Sequence, residues 1–175
     1  HNAEAAPMFF KAMELDEDGT EGWAVTTASV FDLLKHPDCR DVPKPEWWND
    51  EGLKALSVRV VAASPDTPQP CSMRARVLEG DAFFEANWNV GLRTGAEIKE
   101  AASWFRRAAR VTRIPSAKLV YEGRVRLCDA MADPLLAKEE ADAAKARAAA
   151  ETEAEKTCAA AEAEAAEALK VAEAK

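Results

Sequence analysis

A helical hairpin over residues 94–130 constrains this chain more tightly than any other stretch. Thr94 with Glu97 three residues later makes a capping box, in which each side chain satisfies an amide left over at a helix start. Ile98, Ala101, Ala102, Phe105, Ala108 and Ala109 then recur at helical spacing, so one stripe is apolar as far as Val111. Thr112, Arg113 and Ile114 form a short turn, Pro115 stops the first helix, and Ser116 is a suitable N-cap for the second. Such a unit has one sticky face, cannot bury it alone, and needs neighbours of its own kind.

Composition shows where those neighbours lie. All five tryptophans and all six phenylalanines precede Pro134, which places the core in residues 1–133. Asp133-Pro134 reads as a cap followed by a first-turn proline, restarting a helix over residues 134–175. Beyond Pro134 there is no glycine, proline or aromatic residue, and alanine is the strongest helix former. Asp142–Lys145, Glu153–Lys156 and Glu167–Lys170 add opposite charges at helical spacing. An alanine stripe (Ala143, Ala146, Ala150, Ala154, Ala161, Ala165, Ala168 and Ala172) buries little area and makes a poor coiled-coil seam. The expectation is an extended, solvated helix, with self-association or docking of the tail as the alternative.

Four further helices precede the hairpin. Residues 3–15 present Ala5, Phe9, Ala12 and Met13 on one side and end near Gly19, which can take a left-handed conformation. Thr20 caps a helix with Trp23, Val30, Phe31 and Leu34, closing at His36-Pro37. A breaker-rich link at residues 37–48 contains Trp47-Trp48, and Asn49 or Asp50 caps a helix with Leu53, Leu56, Val60 and Val61 inward. The three prolines of residues 64–70 predict a turn, with the next helix starting at Cys71 and either breaking at Gly80 or continuing through Phe83-Phe84. A second link holds Trp88. The link tryptophans are either exposed binding anchors or lids folded back on adjacent helices.

An offset of 48 residues brings these hairpins into register: Ala12, Val60 and Ala108 coincide, as do Trp23, Cys71 and Leu119, and Thr27, Ala75 and Gly123. Repetition at such a period is the signature of a helical solenoid. Ala5-x3-Phe9-x2-Ala12 and Ala101-x3-Phe105-x2-Ala108 resemble the second helix of the tetratricopeptide repeat, and Trp23 stands where that family places a tryptophan in its first helix. Leu53-x3-Ser57 lacks the aromatic, Thr26, Arg74 and Glu122 occupy the family's leucine position, and the links are elongated. The resemblance implies an all-α, right-handed solenoid of about three hairpins and a protein-binding role. Family ligands lie along the surface lined by the first helices, which here would bring Ser72, Met73, Arg76, Tyr121 and Arg124 to a groove.

Charge supplies the other candidate surface. The chain carries a net charge of −8, yet residues 106–126 hold Arg106, Arg107, Arg110, Arg113, Lys118, Arg124 and Arg126 against Glu122 alone. Such a patch attracts an acidic peptide or subunit and speeds encounter; the other reading is a solvated face that also meets the chain's own acidic tail. The overall acidity argues against a nucleic-acid partner, and no run reaches the ~20 apolar residues of a membrane span. Cys39, Cys71, Cys128 and Cys158 have no repeated short spacing and read as reduced thiols of an intracellular protein. The first residue is His1 rather than Met, so a segment ahead of it is expected to be missing.

No phosphate loop, nucleophile elbow or H-E-x-x-H is present, and His36 is the sole internal imidazole. His36-x2-Cys39 is half of a metal site without a second pair. A non-enzymatic scaffold is expected, with no catalytic, cofactor or metal residue. The alternatives are an assembly subunit anchored by its C-terminal helix and a small-molecule pocket under the tryptophan links.

Overall fold

A computed structural model describes residues 2–80 and 90–173, with side chains described as far as residue 162. Six α-helices and no strand occur among the described residues: α1 (Asn2–Leu15), α2 (Glu21–Leu34), α3 (Asp50–Ala63), α4 (Pro68–Glu79), α5 (Gly95–Val111) and α6 (Pro115–Glu173). Pro37–Cys39 adds one turn of 3-10 helix after α2. The chain forms two units, His1–Leu135 and Leu136–Lys175.

Local chemistry sets most of the helix starts. Thr20 accepts from the Trp23 amide, Asn49 from the Gly52 amide, and Thr94 with Glu97 completes the reciprocal box at α5. Three boundaries differ from expectation. Helix α4 begins at Pro68, three residues before Cys71, because prolines in a first turn lack only amides that have no helical partner. It ends at Glu79, where Gly80 takes a positive φ of 67° that other residues rarely adopt, so the break at Gly80 holds; Phe83-Phe84 and Trp88 lie outside the described residues. Pro115 is already the first residue of α6, and that helix passes through Pro134 instead of restarting there. Pro134 thereby removes one backbone hydrogen bond without ending the helix.

Two apolar clusters hold the first unit together. One joins Ala6 of α1, Trp23, Phe31 and Leu34 of α2, Leu53 and Val60 of α3, and Met73 and Val77 of α4. The other joins Ala75 and Leu78 of α4, Ile98, Ala101, Ala102 and Phe105 of α5, and Cys128 and Ala132 of α6. Helix α4 thus contributes to both, its Met73 side to the first and its Ala75 side to the second. Trp48 is buried against Phe31, with ring centroids 5.7 Å apart, and Trp47 packs on Trp48 at 5.8 Å. These two tryptophans are therefore lids. Gly52 permits that closure, since a Cβ there would lie 2.6 Å from the Trp47 carbonyl oxygen.

Helix α1 shows the largest departure. Ala6, Phe10 and Met13 face the core, whereas Phe9 and Ala12 are exposed and Ala5 is half-buried. Of the expected face Ala5–Phe9–Ala12–Met13, only Met13 packs on the core, while the counterparts Ala101, Phe105 and Ala108 of the first three are fully buried.

The start of α3 is tied to α4 and α5 by charge. Arg93 donates to both Asp50 oxygens (2.6 and 3.1 Å) and to the Val77 carbonyl (2.8 Å), and Lys54 bridges Asp50 (3.2 Å) and Glu97 (2.6 Å). Burial raises the Asp50 carboxyl, but hydrogen bonds and charge from Arg93 and Lys54 outweigh it and hold it below its usual range. A depressed carboxylate stabilises the fold above its unfolded pKa and loses that contribution as pH falls through its folded value. Wild-type stability to urea is therefore expected to drop on acidification below about pH 4, and Arg93→Ala should flatten that part of the profile.

Candidate functional site

The basic segment 106–126 spans the end of α5 and the start of α6, and its side chains separate into two groups. Several are already engaged. Arg106 pairs with Asp129, and Arg107 pairs with Asp66 (2.9 Å) while stacking over Trp104 at 5.7 Å. Arg124 turns toward α4 and pairs with Glu79 at 2.7 Å. Arg76 of α4 meets Asp32 of α2 at 3.0 Å.

The expected groove along the first helices is corrected by these positions. Met73 is only 1% exposed and belongs to the first core cluster, so it lines no groove. Tyr121 packs against Phe105 (ring centroids 6.3 Å, near-parallel) beside the second cluster. Ser72 is buried. Glu79, 3% exposed, sits at the centre of a closed ionic cluster. Burial pushes its carboxyl up against the opposing effects of Arg124, Lys35 and Arg76, and the Cys128 thiol lies 3.9 Å from its Oε2. Burial and the neighbouring Arg76 push the Lys35 ammonium down to about 8, against Asp32 and Glu79. Only one signal pointed to Glu79: a carboxylate at a helix C-terminus is disfavoured by the backbone dipole and wants a cation. Asp66 and Asp129, absent from the segment's own charge balance, reach it through tertiary folding.

A second group remains open. Arg110, Lys118 and Arg126, with Arg106, rim a groove of about 420 Å³ between α5 and α6, floored by Ala109 and Val125. Glu122 is its one carboxylate. Arg110, Lys118 and Arg126 are exposed and form no ion pair among the described residues. Arg113 is exposed in the turn between the two helices. Of the eleven expected contact residues, the structure thus brings Arg106, Arg110, Lys118 and Arg126 together around one concavity. Chemically, it offers fixed positive charge around an apolar floor, suited to a side chain with both a methylene stem and a carboxylate.

The remaining polar groups serve the fold. His36 Nδ1 accepts from the Asp38 amide at 3.3 Å, and Cys39 is buried. No group of three or more potential metal ligands occurs among the described residues. Cys39, Cys71 and Cys128 are buried thiols and Cys158 an exposed one. Burial pushes Cys71 up to about 11 and Cys128 up to about 12, away from the reactive thiolate. Among the described residues, no helix is long and apolar enough to cross a membrane. No family model, curated protein or solved structure matches the chain.

Proposed function

We propose that the first unit is a non-enzymatic binding module, a stack of helix hairpins resembling tetratricopeptide repeats, that grips an acidic segment of a partner protein in the α5–α6 groove. The observation that carries the reading is the set Arg110, Lys118 and Arg126: three exposed cations without ion pairs among the described residues, around an apolar floor. Most other arginines of the unit have found a carboxylate, so these three cations, with the exposed Arg113 of the adjoining turn, serve as encounter and recognition groups. The stacked arrangement is supported by the alternation of partners, with α2 against α1, α3 and α4, and α4 against α3 and α5. Affinity isolation from the native source is expected to recover partners with the wild-type chain and to lose them when Arg110, Lys118 and Arg126 are all changed to Glu. Recovery of the same partners by the reversed chain would remove the groove from the reading.

One observation favours a second reading, an assembly subunit anchored by the C-terminal helix. The described residues of the second unit, 136–162, include no buried side chain. An ordered alanine-rich helix without a core of its own suits a long contact with something else, by way of its small side chains. Truncation after Asp133 separates the two: the groove reading keeps partner binding, and the anchor reading loses incorporation.

A further inference from the structure

Both ends of the first unit leave uncovered the positions that are covered in its middle. At the 48-residue offset, Leu53, Ser57 and Val60 of α3 and Ala101, Phe105 and Ala108 of α5 are all buried, yet on α1 Ala12 is exposed, Phe9 is 38% exposed and Ala5 is only half-buried. Met8, which corresponds to the buried Leu56, is 75% exposed. At the other end, Trp23 of α2 and Cys71 of α4 are buried, but their counterpart Leu119 of α6 is 68% exposed. Likewise Ala24 and Ser72 are buried where Val120 is 55% exposed, and Phe31 and Glu79 where Leu127 is 47% exposed. Helix α1 therefore carries the face of a second helix that lacks its preceding partner. Helix α6 carries the face of a first helix that lacks its following partner. Each end is half of the same hairpin.

We infer that α6 of one copy docks against α1 of a second copy, completing a hairpin across the interface and continuing the stack. The inference rests on the hairpin-stack reading given above. Charge selects this pairing over a symmetric one. Residues 4–18, on and just after α1, hold five acidic side chains and one lysine, whereas the start of α6 presents Lys118 and Arg126 without ion pairs among the described residues against Glu122, its Arg124 being tied to Glu79. Asp16 and Asp18 are occupied by Thr26 and Arg59, which leaves Glu14 and Glu17 exposed at the end of α1. Lys118 and Arg126 stand next to Leu119 and Leu127 on α6. Two α6 faces brought together would oppose like charges, while α6 against α1 opposes unlike ones. Such a contact is heterologous and does not close on itself, so it produces a ladder of oligomers.

Sedimentation velocity on the full chain over a dilution series tests this. The weight-average mass is expected to rise with concentration and to fall when salt is added. Met8→Glu blocks the α1 end, and the pair Leu119→Glu, Val120→Glu blocks the α6 end; these sites are exposed, so circular dichroism should show unchanged helix content. Each blocked chain should associate at least about 30-fold more weakly, as loss of a hot-spot contact does. Mixed together, the two blocked chains should form a one-to-one dimer and stop there. A wild-type chain that is monomeric throughout overturns the pairing, as does undiminished association of both blocked chains. Binding of a labelled acidic peptide to the Met8→Glu chain, tested with and without Lys118→Glu, reads the α5–α6 groove separately from the pairing.

Discussion

Arg124→Ala is expected to lower the unfolding free energy by about 3–5 kcal/mol at neutral pH, the cost of leaving one member of a buried ion pair uncompensated. Its partner Glu79 is almost wholly inside the protein, between α4 and α6, and Arg124 Nη1 meets its Oε1 at 2.7 Å. The pair is not a source of net stability in itself, because burial raises the Glu79 carboxyl and lowers the Arg124 guanidinium. What matters is the asymmetry of removing one charge. A carboxyl raised in the folded state takes up its proton there first, so its cost grows as pH rises through the window above its unfolded value. The deficit of Arg124→Ala should therefore shrink on acidification toward about pH 4.5. Adding Glu79→Gln should recover most of it at neutral pH. Urea unfolding of the three proteins at two pH values checks all of this; a deficit that ignores pH and Glu79→Gln would show that Arg124 acts through packing alone.

Phe105→Ala should cost about 3–5 kcal/mol, read as a fall in urea midpoint with an unchanged slope. The ring is fully buried and stands among Ile98, Ala101 and Ala102, with Tyr121 stacked on it and Cys128 and Ala132 in the same cluster. The surrounding alanines are too short to collapse into the space a phenyl ring leaves, so the cavity persists. Its counterpart in the sequence register gives the control. Phe9→Ala, on the outer side of α1, should cost clearly less, on the order of 1 kcal/mol in dilute protein, because more than a third of the residue (38%) is already exposed. Equal losses at the two positions would mean that the faces of α1 are assigned wrongly.

The contrast between Phe9 and Phe105 also shows where sequence patterning stops. The caps Thr20 and Thr94, and the Asn49–Asp50 start to within one residue, were legible because capping is decided within four residues. The stripe of α5 was legible because its opposite face is charged. Helix α1 is apolar nearly all round, with both Ala5–Phe9–Ala12 and Ala6–Phe10–Met13 available, and only its neighbour α2 decides which turns inward. Charge has the same limit. Residues 106–126 look uniformly basic in sequence, yet Asp66 and Glu79 arrive from about forty residues away to neutralise Arg107 and Arg124. The groove is the remainder after that tertiary pairing, and pairing at such separations follows from helix packing rather than from local spacing. Met73 was misplaced for the related reason that α4 is buried on both sides, which leaves no solvent face at that position.

The groove itself is tested most directly by fluorescence anisotropy with a labelled helical peptide carrying glutamates on one side and leucines on the other. The wild-type chain should bind it at low salt and more weakly as salt screens the contact. The Arg110→Glu, Lys118→Glu, Arg126→Glu chain should bind at least about tenfold more weakly, a loss of about 1.4 kcal/mol or more. Equal affinity for the two chains, or no binding by the wild-type chain at low salt, would contradict the assignment of the α5–α6 groove as the site that receives an acidic partner.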